Sequence, residues 1–225
     1  MPTWSRDGSH VSYVFDHSTI RDVPVNGADT DAELLRTNSQ SGLRPGDWSP
    51  DGRFLLYTEY VVHADTGSPD LLARSSATST SVPLVHTRFN EDQGRFSPNG
   101  RWVAYVSNES GVSEVYVRGF TVDAGGVPTT AGDRTLVSHG GGSSPRWRAD
   151  GKELFYLAPD GKMMAVDVVA TDAFRVGTPS PLFQMPVGAV LGDPSADGRR
   201  FLMVTPIGAT VPFTVVLNWA SELTR

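Results

Sequence analysis

The sequence predicts an all-β chain folded as a β-propeller of about five blades, each of four antiparallel strands. Three observations predict it. A short unit recurs along the 225 residues: an aromatic, Ser or Arg, any residue, Asp or Asn, Gly, then an apolar strand. The glycines of successive copies lie 44, 48, 51 and 47 residues apart, the period of four-stranded propeller blades. The chain also carries 23 Gly and 16 Pro and no long amphipathic helical pattern, which suits strands joined by many turns.

The copies are Trp4-Ser5-Arg6-Asp7-Gly8, Trp48-Ser49-Pro50-Asp51-Gly52, Phe96-Ser97-Pro98-Asn99-Gly100 and Trp147-Arg148-Ala149-Asp150-Gly151. A degenerate fifth copy is Pro194-Ser195-Ala196-Asp197-Gly198. Asp-Gly and Asn-Gly provide the positive φ of a tight hairpin turn, and Pro50 and Pro98 preset φ at its entry. The aromatic ahead of each turn is a large apolar body suited to packing between neighbouring sheets. After each turn comes a strand with alternating apolar positions: Val11-Tyr13-Phe15, Phe54-Leu56-Thr58, Trp102-Ala104-Val106, Leu154-Tyr156 and Phe201-Met203.

Third strands are clearest at Glu114–Arg118 and Met163–Val168. Shorter fourth strands are expected at Glu33–Arg36, Val82–Val85, Thr135–Ser138 and Ser180–Phe183, where Pro83 and Pro181 suit an outer edge. The last copy ends with Phe213–Trp219 and shows no fourth strand. Either the last blade has three strands or the ring takes its closing strand from elsewhere. The expected domain is a single propeller over 1–225, with blades of about 1–45, 46–93, 94–144, 145–191 and 192–225. A closed five-bladed monomer is expected; the alternative is an open arc completed by oligomerisation, because an unclosed blade exposes an apolar face.

Composition excludes several function classes. The net charge of −6 argues against nucleic acid and anionic membrane as partners, since both call for basic patches. No cysteine is present, so disulfides and thiolate metal sites are excluded. No run reaches the roughly 18 apolar residues of a membrane helix. The first residues lack the apolar core of a signal peptide, so the expectation is a cytoplasmic chain or the body of something longer.

Candidate chemistry converges on the channel. The residue before each motif aromatic lies on an innermost strand: Thr3, Asp47, Arg95, Arg146 and Asp193. These four charges of mixed sign could pair with one another, Asp47 with Arg95 and Arg146 with Asp193. They could instead bind a polar or anionic ligand, since a guanidinium presents a bidentate fork. Glu91 and Asp92 precede the third innermost strand and are expected at the same mouth. With Asp47 or Asp193 they could form an acid–base pair or supply oxygen ligands to Ca²⁺, with loop solvation as the plain alternative. No other cofactor is indicated. The run Asp29-Thr30-Asp31-Ala32-Glu33 lacks the Gly and the later Glu of a calcium loop, and the five histidines (His10, His17, His63, His86 and His139) show no metal-ligand spacing.

His139-Gly140-Gly141-Gly142 matches the oxyanion motif of some esterases, where glycine N–H groups face an oxyanion. The sequence has no Gly-x-Ser-x-Gly elbow, and the run falls in a loop before an innermost strand, where glycines serve as a linker. If the chain is a hydrolase, His139, Ser143 and Ser144 are the catalytic candidates.

The repeat as a whole resembles the TolB-type, WD40-like Pro-Asp propeller repeat. The match is carried by Phe96-Ser97-Pro98-Asn99-Gly100-Arg101-Trp102-Val103-Ala104-Tyr105 and by Ser107–Gly111 leading into Glu114–Arg118. Pro145-Arg146-Trp147-Arg148, Asp150–Leu157 and Thr214–Trp219 resemble the C-terminal propellers of large bacterial regulatory proteins of the serine/threonine kinase or winged-helix type. The sequence carries no kinase loop and no kinase catalytic segment. The resemblance implies a module that binds a protein or a small polar ligand, outside the cytoplasm in some relatives. The alternatives are an esterase- or lactonase-type hydrolase with a site assembled across blades, and an accessory sensor or scaffold of a larger regulatory protein.

Overall fold

A computed structural model describes residues 2–26, 31–37, 41–60 and 69–205. The described residues contain strands and turns and no helix, in five successive sheets whose strands are all antiparallel. The first sheet holds β1 (Thr3–Trp4), β2 (His10–Val14), β3 (Thr19–Pro24) and β4 (Ala32–Arg36). The second holds β5 (Gly42–Trp48), β6 (Phe54–Tyr60), β7 (Asp70–Ser75) and β8 (Ser81–Val85). The third holds β9 (Glu91–Phe96), β10 (Trp102–Ser107), β11 (Glu114–Val122) and β12 (Pro128–Leu136). The fourth holds β13 (Ser143–Trp147), β14 (Glu153–Leu157), β15 (Lys162–Ala170), β16 (Phe174–Val176) and β17 (Ser180–Gln184). The fifth shows β18 (Val190–Pro194) and β19 (Phe201–Val204). Strands pair in chain order from the innermost outward, the meander of a propeller blade, except in the fourth sheet, where β15 pairs with both β16 and β17. The strand expected over Phe213–Trp219, and with it the closure of the ring, lies outside the described residues.

The repeated turn has one geometry throughout. The Ser5, Ser49, Ser97 and Ser195 hydroxyls each donate to the Asp or Asn two residues on, at 2.6–2.7 Å. Each also accepts the backbone N–H five residues on, at 2.9–3.0 Å. In the fourth copy the Arg148 guanidinium takes this place and binds Asp150 at 2.7 Å. The turn glycines Gly8, Gly52, Gly100, Gly151 and Gly198 all have φ of 69–70°, where any side chain is strained. The Asp or Asn before each keeps negative φ, so the turn needs its glycine for the left-handed position alone.

The motif aromatics pack backward onto the preceding sheet. Trp48 joins Ile20, Leu43, Leu55 and Tyr57 between the first two sheets, and its indole N–H donates to Ser12 Oγ at 3.0 Å. Phe96 packs among Phe54, Leu56, Leu71 and Val103. Trp147 packs with Ala104, Val106, Val115 and Val117. Phe155 and Phe201 meet edge to face at 5.0 Å between the fourth and fifth sheets. Trp4 differs from Trp48 and Trp147: it is 54% exposed against 8% for each of those. The second strands of the second, third and fourth sheets are buried on both faces because a sheet covers each side: every residue of Phe54–Thr58 is buried. The inner strands approach closely, and a Cβ on Gly94 would lie 2.6 Å from Leu71 Cδ1.

Three expectations need adjustment. The third sheet's outer strand runs Pro128–Leu136, starting well before the expected Thr135, and the fourth sheet carries the additional β16. Innermost strands start one to six residues before the first residue of their motif, so the expected blade limits at 45/46, 93/94, 144/145 and 191/192 fall inside β5, β9, β13 and β18. The motif marks only the exit of each inner strand.

Candidate functional site

Thr3, Asp47, Arg95, Arg146 and Asp193 stand at the exits of five inner strands and all line one opening of the channel, a cavity of about 270 Å³. Arg6 joins them there. Arg146 is buried, and its Nε lies 2.9 Å from Asp193 Oδ1. The same guanidinium donates to the Gly192 carbonyl at 3.1 Å and to the Pro145 carbonyl at 2.8 Å. Burial pushes the Arg146 pKa down to about 10; the neighbouring Arg95 charge adds to this and Asp193 opposes it.

Asp47 and Arg95 do not form the direct pair that their positions suggest. Asp47 accepts the Phe96 N–H at 3.0 Å and meets Arg6 Nη2 at 3.5 Å. Burial holds its carboxyl above the ordinary aspartate range, with the Arg95 and Arg6 charges pulling the other way. Arg95 donates through Nη1 to the Gly46 carbonyl. Its Nε is buried and has no hydrogen-bond partner among the described residues, and no carboxylate there lies within ion-pair distance of it.

Glu91 and Asp92 do not share this mouth. Asp92 stands three positions before Arg95 on β9 and lines a second opening instead. That second cavity, of about 290 Å³, is lined by Arg44, Thr58, Asp92, Gln93 and Ser144 and again by Arg95 and Arg146. Asp92 is fully engaged: it accepts from Arg44 at 2.6 Å, Thr58 at 2.7 Å, Tyr60 at 3.0 Å and the Gln93 N–H at 2.7 Å. Glu91 turns away from both openings. It is 1% exposed and accepts from the Thr87 hydroxyl at 2.6 Å and the Thr87 N–H at 3.2 Å. Side chains alternate along a strand, so neighbouring Glu91 and Asp92 face opposite ways. No group of three or more His, Asp or Glu side chains suited to a metal ion occurs among the described residues.

The glycine run is built into its own loop. Gly141 N–H donates to Glu114 Oε1 at 2.9 Å and Gly142 N–H to the Ser113 carbonyl at 2.8 Å, so both donors are spent inside the protein. Gly141 has φ 114°, and a Cβ there would lie 2.3 Å from Pro159 Cγ. His139 is exposed, and no hydrogen bond joins it to Ser143 or Ser144 among the described residues. Ser143 points its hydroxyl toward the Leu157 carbonyl at 3.5 Å, whereas Ser144 lines the second opening.

Sequence reasoning missed Arg6, Arg44 and Gln93. Arg6 occupies the variable position of the repeat, which carries no fold signal. Arg44 stands three residues before Asp47, the same offset that places Asp92 before Arg95. Gln93 has φ 61° and marks an irregularity in an inner strand that apolar periodicity cannot register.

No family model matches the chain. TolB of the Tol-Pal system from Bordetella pertussis is 25% identical over 150 residues, 67% of this chain and 32% of that protein. The chain spans between 32% and 53% of the length of the first curated relatives it matches. Among solved structures, TolB from Acinetobacter baumannii superposes with a TM-score of 0.62 at 18% identity, covering 90% of this chain and 50% of that one. The periplasmic gluconolactonase of Pseudomonas aeruginosa superposes with a TM-score of 0.56 at 18% identity, covering 90% and 61%. The chain has the β-propeller fold seen in TolB.

Proposed function

We propose that this TolB-like propeller is a non-catalytic binding module whose first channel opening takes a polar group, on a partner protein or a small molecule. One observation carries the reading. Four charged side chains from four separate sheets, Asp47, Arg95, Arg146 and Asp193, converge on one cavity, and the Arg95 guanidinium there has an unspent donor. Carboxylates accept from hydroxyl and ammonium groups and guanidiniums donate to oxygens, so the ring suits a ligand rich in both. The TolB likeness supports a protein as the bearer of that group. The hydrolase reading draws less support, since the Gly141 and Gly142 N–H groups are occupied and His139 has no bonded serine among the described residues. The neighbour named as periplasmic favours a location outside the cytoplasm, and no helix among the described residues is long and apolar enough to cross a membrane.

Thermal shift with gluconate as a small polar probe, and with an envelope-protein extract fractionated over the immobilised propeller, tests the two bearers. A saturable rise in Tm with gluconate, lost in the Arg95→Gln, Asp193→Asn double variant, supports a small-molecule site. Selective retention of one protein by the native chain and not by that variant supports a protein partner. Neither response, or either one unchanged in the variant, removes the first opening as the site.

A further inference from the structure

The second opening differs in chemistry from the first. Its acid is already neutralised, because Asp92 is held by Arg44 and by three further donors. Asp47 and Asp193, the carboxylates that offset Arg95 and Arg146, line the first opening and not this one. From the second opening a ligand therefore meets three guanidiniums, of which Arg44 is paired with Asp92 and Arg146 with Asp193, and no free carboxylate among the described residues. Arg95 keeps its buried, unpartnered Nε. Beside it lies Ser144, whose hydroxyl makes no hydrogen bond among the described residues. The apolar part of the rim is Pro45 and Leu191, both buried, and Val190, which stands 48% exposed at the edge.

The backbone here is held in an unusual state. Two of the four non-glycine residues with positive φ in the described structure, Gln93 at 61° and Ser144 at 54°, face each other across this opening. They are joined by the Ser144 N–H, which donates to Gln93 Oε1 at 2.6 Å. They occupy equivalent places in their blades, each two residues before its inner-strand arginine, and each strand is irregular there. Left-handed backbone at ordinary residues persists where the surroundings enforce it and gathers at ligand sites. Here it sets the Ser144 side chain at the cavity wall.

We propose that the second opening is a separate binding site for a small carboxylate with an apolar tail. The carboxylate sits on Arg95 and the Ser144 hydroxyl, and the tail lies on Pro45, Val190 and Leu191. A charge-assisted bond to a guanidinium with no internal carboxylate adds specificity for the anion, and the apolar rim favours chain length.

Calorimetric titration of the full chain with hexanoate, acetate and hexan-1-ol tests this. Hexanoate binds saturably and at least tenfold more tightly than either acetate or hexan-1-ol. Val190→Asp, a change at a half-exposed position of this rim alone, weakens hexanoate at least tenfold, as does Arg95→Gln in folded protein. Equal binding of hexanoate and hexan-1-ol overturns the proposal, and so does hexanoate binding retained in Val190→Asp. Loss of hexanoate in Arg6→Ala, which changes only the first opening, moves the probe to that opening and overturns it as well. Arg95 lines both openings, so the Val190→Asp and Arg6→Ala arms, which belong to different openings, separate this result from whatever the first opening binds.

Discussion

At the scale of single residues, the channel holds its charges by balancing burial against local hydrogen bonds. Arg146 spends its donors on Asp193 and on backbone carbonyls, which offsets its loss of water. Asp47 has weaker compensation, one backbone N–H and an Arg6 contact at 3.5 Å, and its pKa is raised. The sign follows. A carboxyl whose folded pKa lies above its unfolded value favours the folded state below the ordinary aspartate pKa. That advantage is lost as pH rises through the folded value. Asp47→Asn is therefore expected to melt higher than the native chain at pH 7, with the difference shrinking toward pH 4 as the native carboxyl protonates. Melting curves of both proteins across that range check this; a constant difference, or a lower Tm for the variant at pH 7, would contradict it. The ring positions themselves are legible in the sequence, because each stands one residue before a motif aromatic. The side chains' partners are not. Direct pairing of Asp47 with Arg95 looks natural from their equivalent positions, yet Arg95 turns to the Gly46 carbonyl and Asp47 to Phe96 N–H.

At the scale of elements, stability lies in the faces between neighbouring sheets. Phe96 is fully buried and bridges the second and third sheets, stacking edge to face with Phe120 at 4.9 Å. Phe96→Ala is expected to cost about 3–5 kcal/mol, the usual range for a buried aromatic lost to a cavity. Chemical denaturation measures this, and a cost below about 1 kcal/mol would mean that the aromatic does not join the sheets. The same physics explains which strands are readable. Second strands such as Phe54–Tyr60 are apolar because sheets cover both of their faces. β12 reads Pro128-Thr129-Thr130-Ala131-Gly132-Asp133-Arg134-Thr135-Leu136 and is mostly exposed, so no burial pattern marks its first half. β16 is three residues long and pairs only with the far end of β15. The place of Glu91 escapes the repeat pattern for a related reason: its neighbour Asp92 faces the channel, and alternation then sends Glu91 into the sheet interface.

At the scale of the whole molecule, the five-fold repeat does two things. Its glycine turns and aromatics build successive sheets, and its register brings the inner-strand exits to a common opening. The charged ring follows from the same spacing that gives the fold, which is why the repeat alone locates it. The two openings are not distinguishable in sequence, because their difference depends on which end of each inner strand a residue occupies. Arg95 and Arg146 reach both. Crystals of the protein soaked in gluconate test the central claim most directly. An ordered polar ligand is expected in the first opening, with an oxygen within hydrogen-bond distance of the Arg95 guanidinium and a hydroxyl donating to Asp47 or Asp193. Bulk water alone in that opening, with gluconate bound elsewhere or absent, would contradict it.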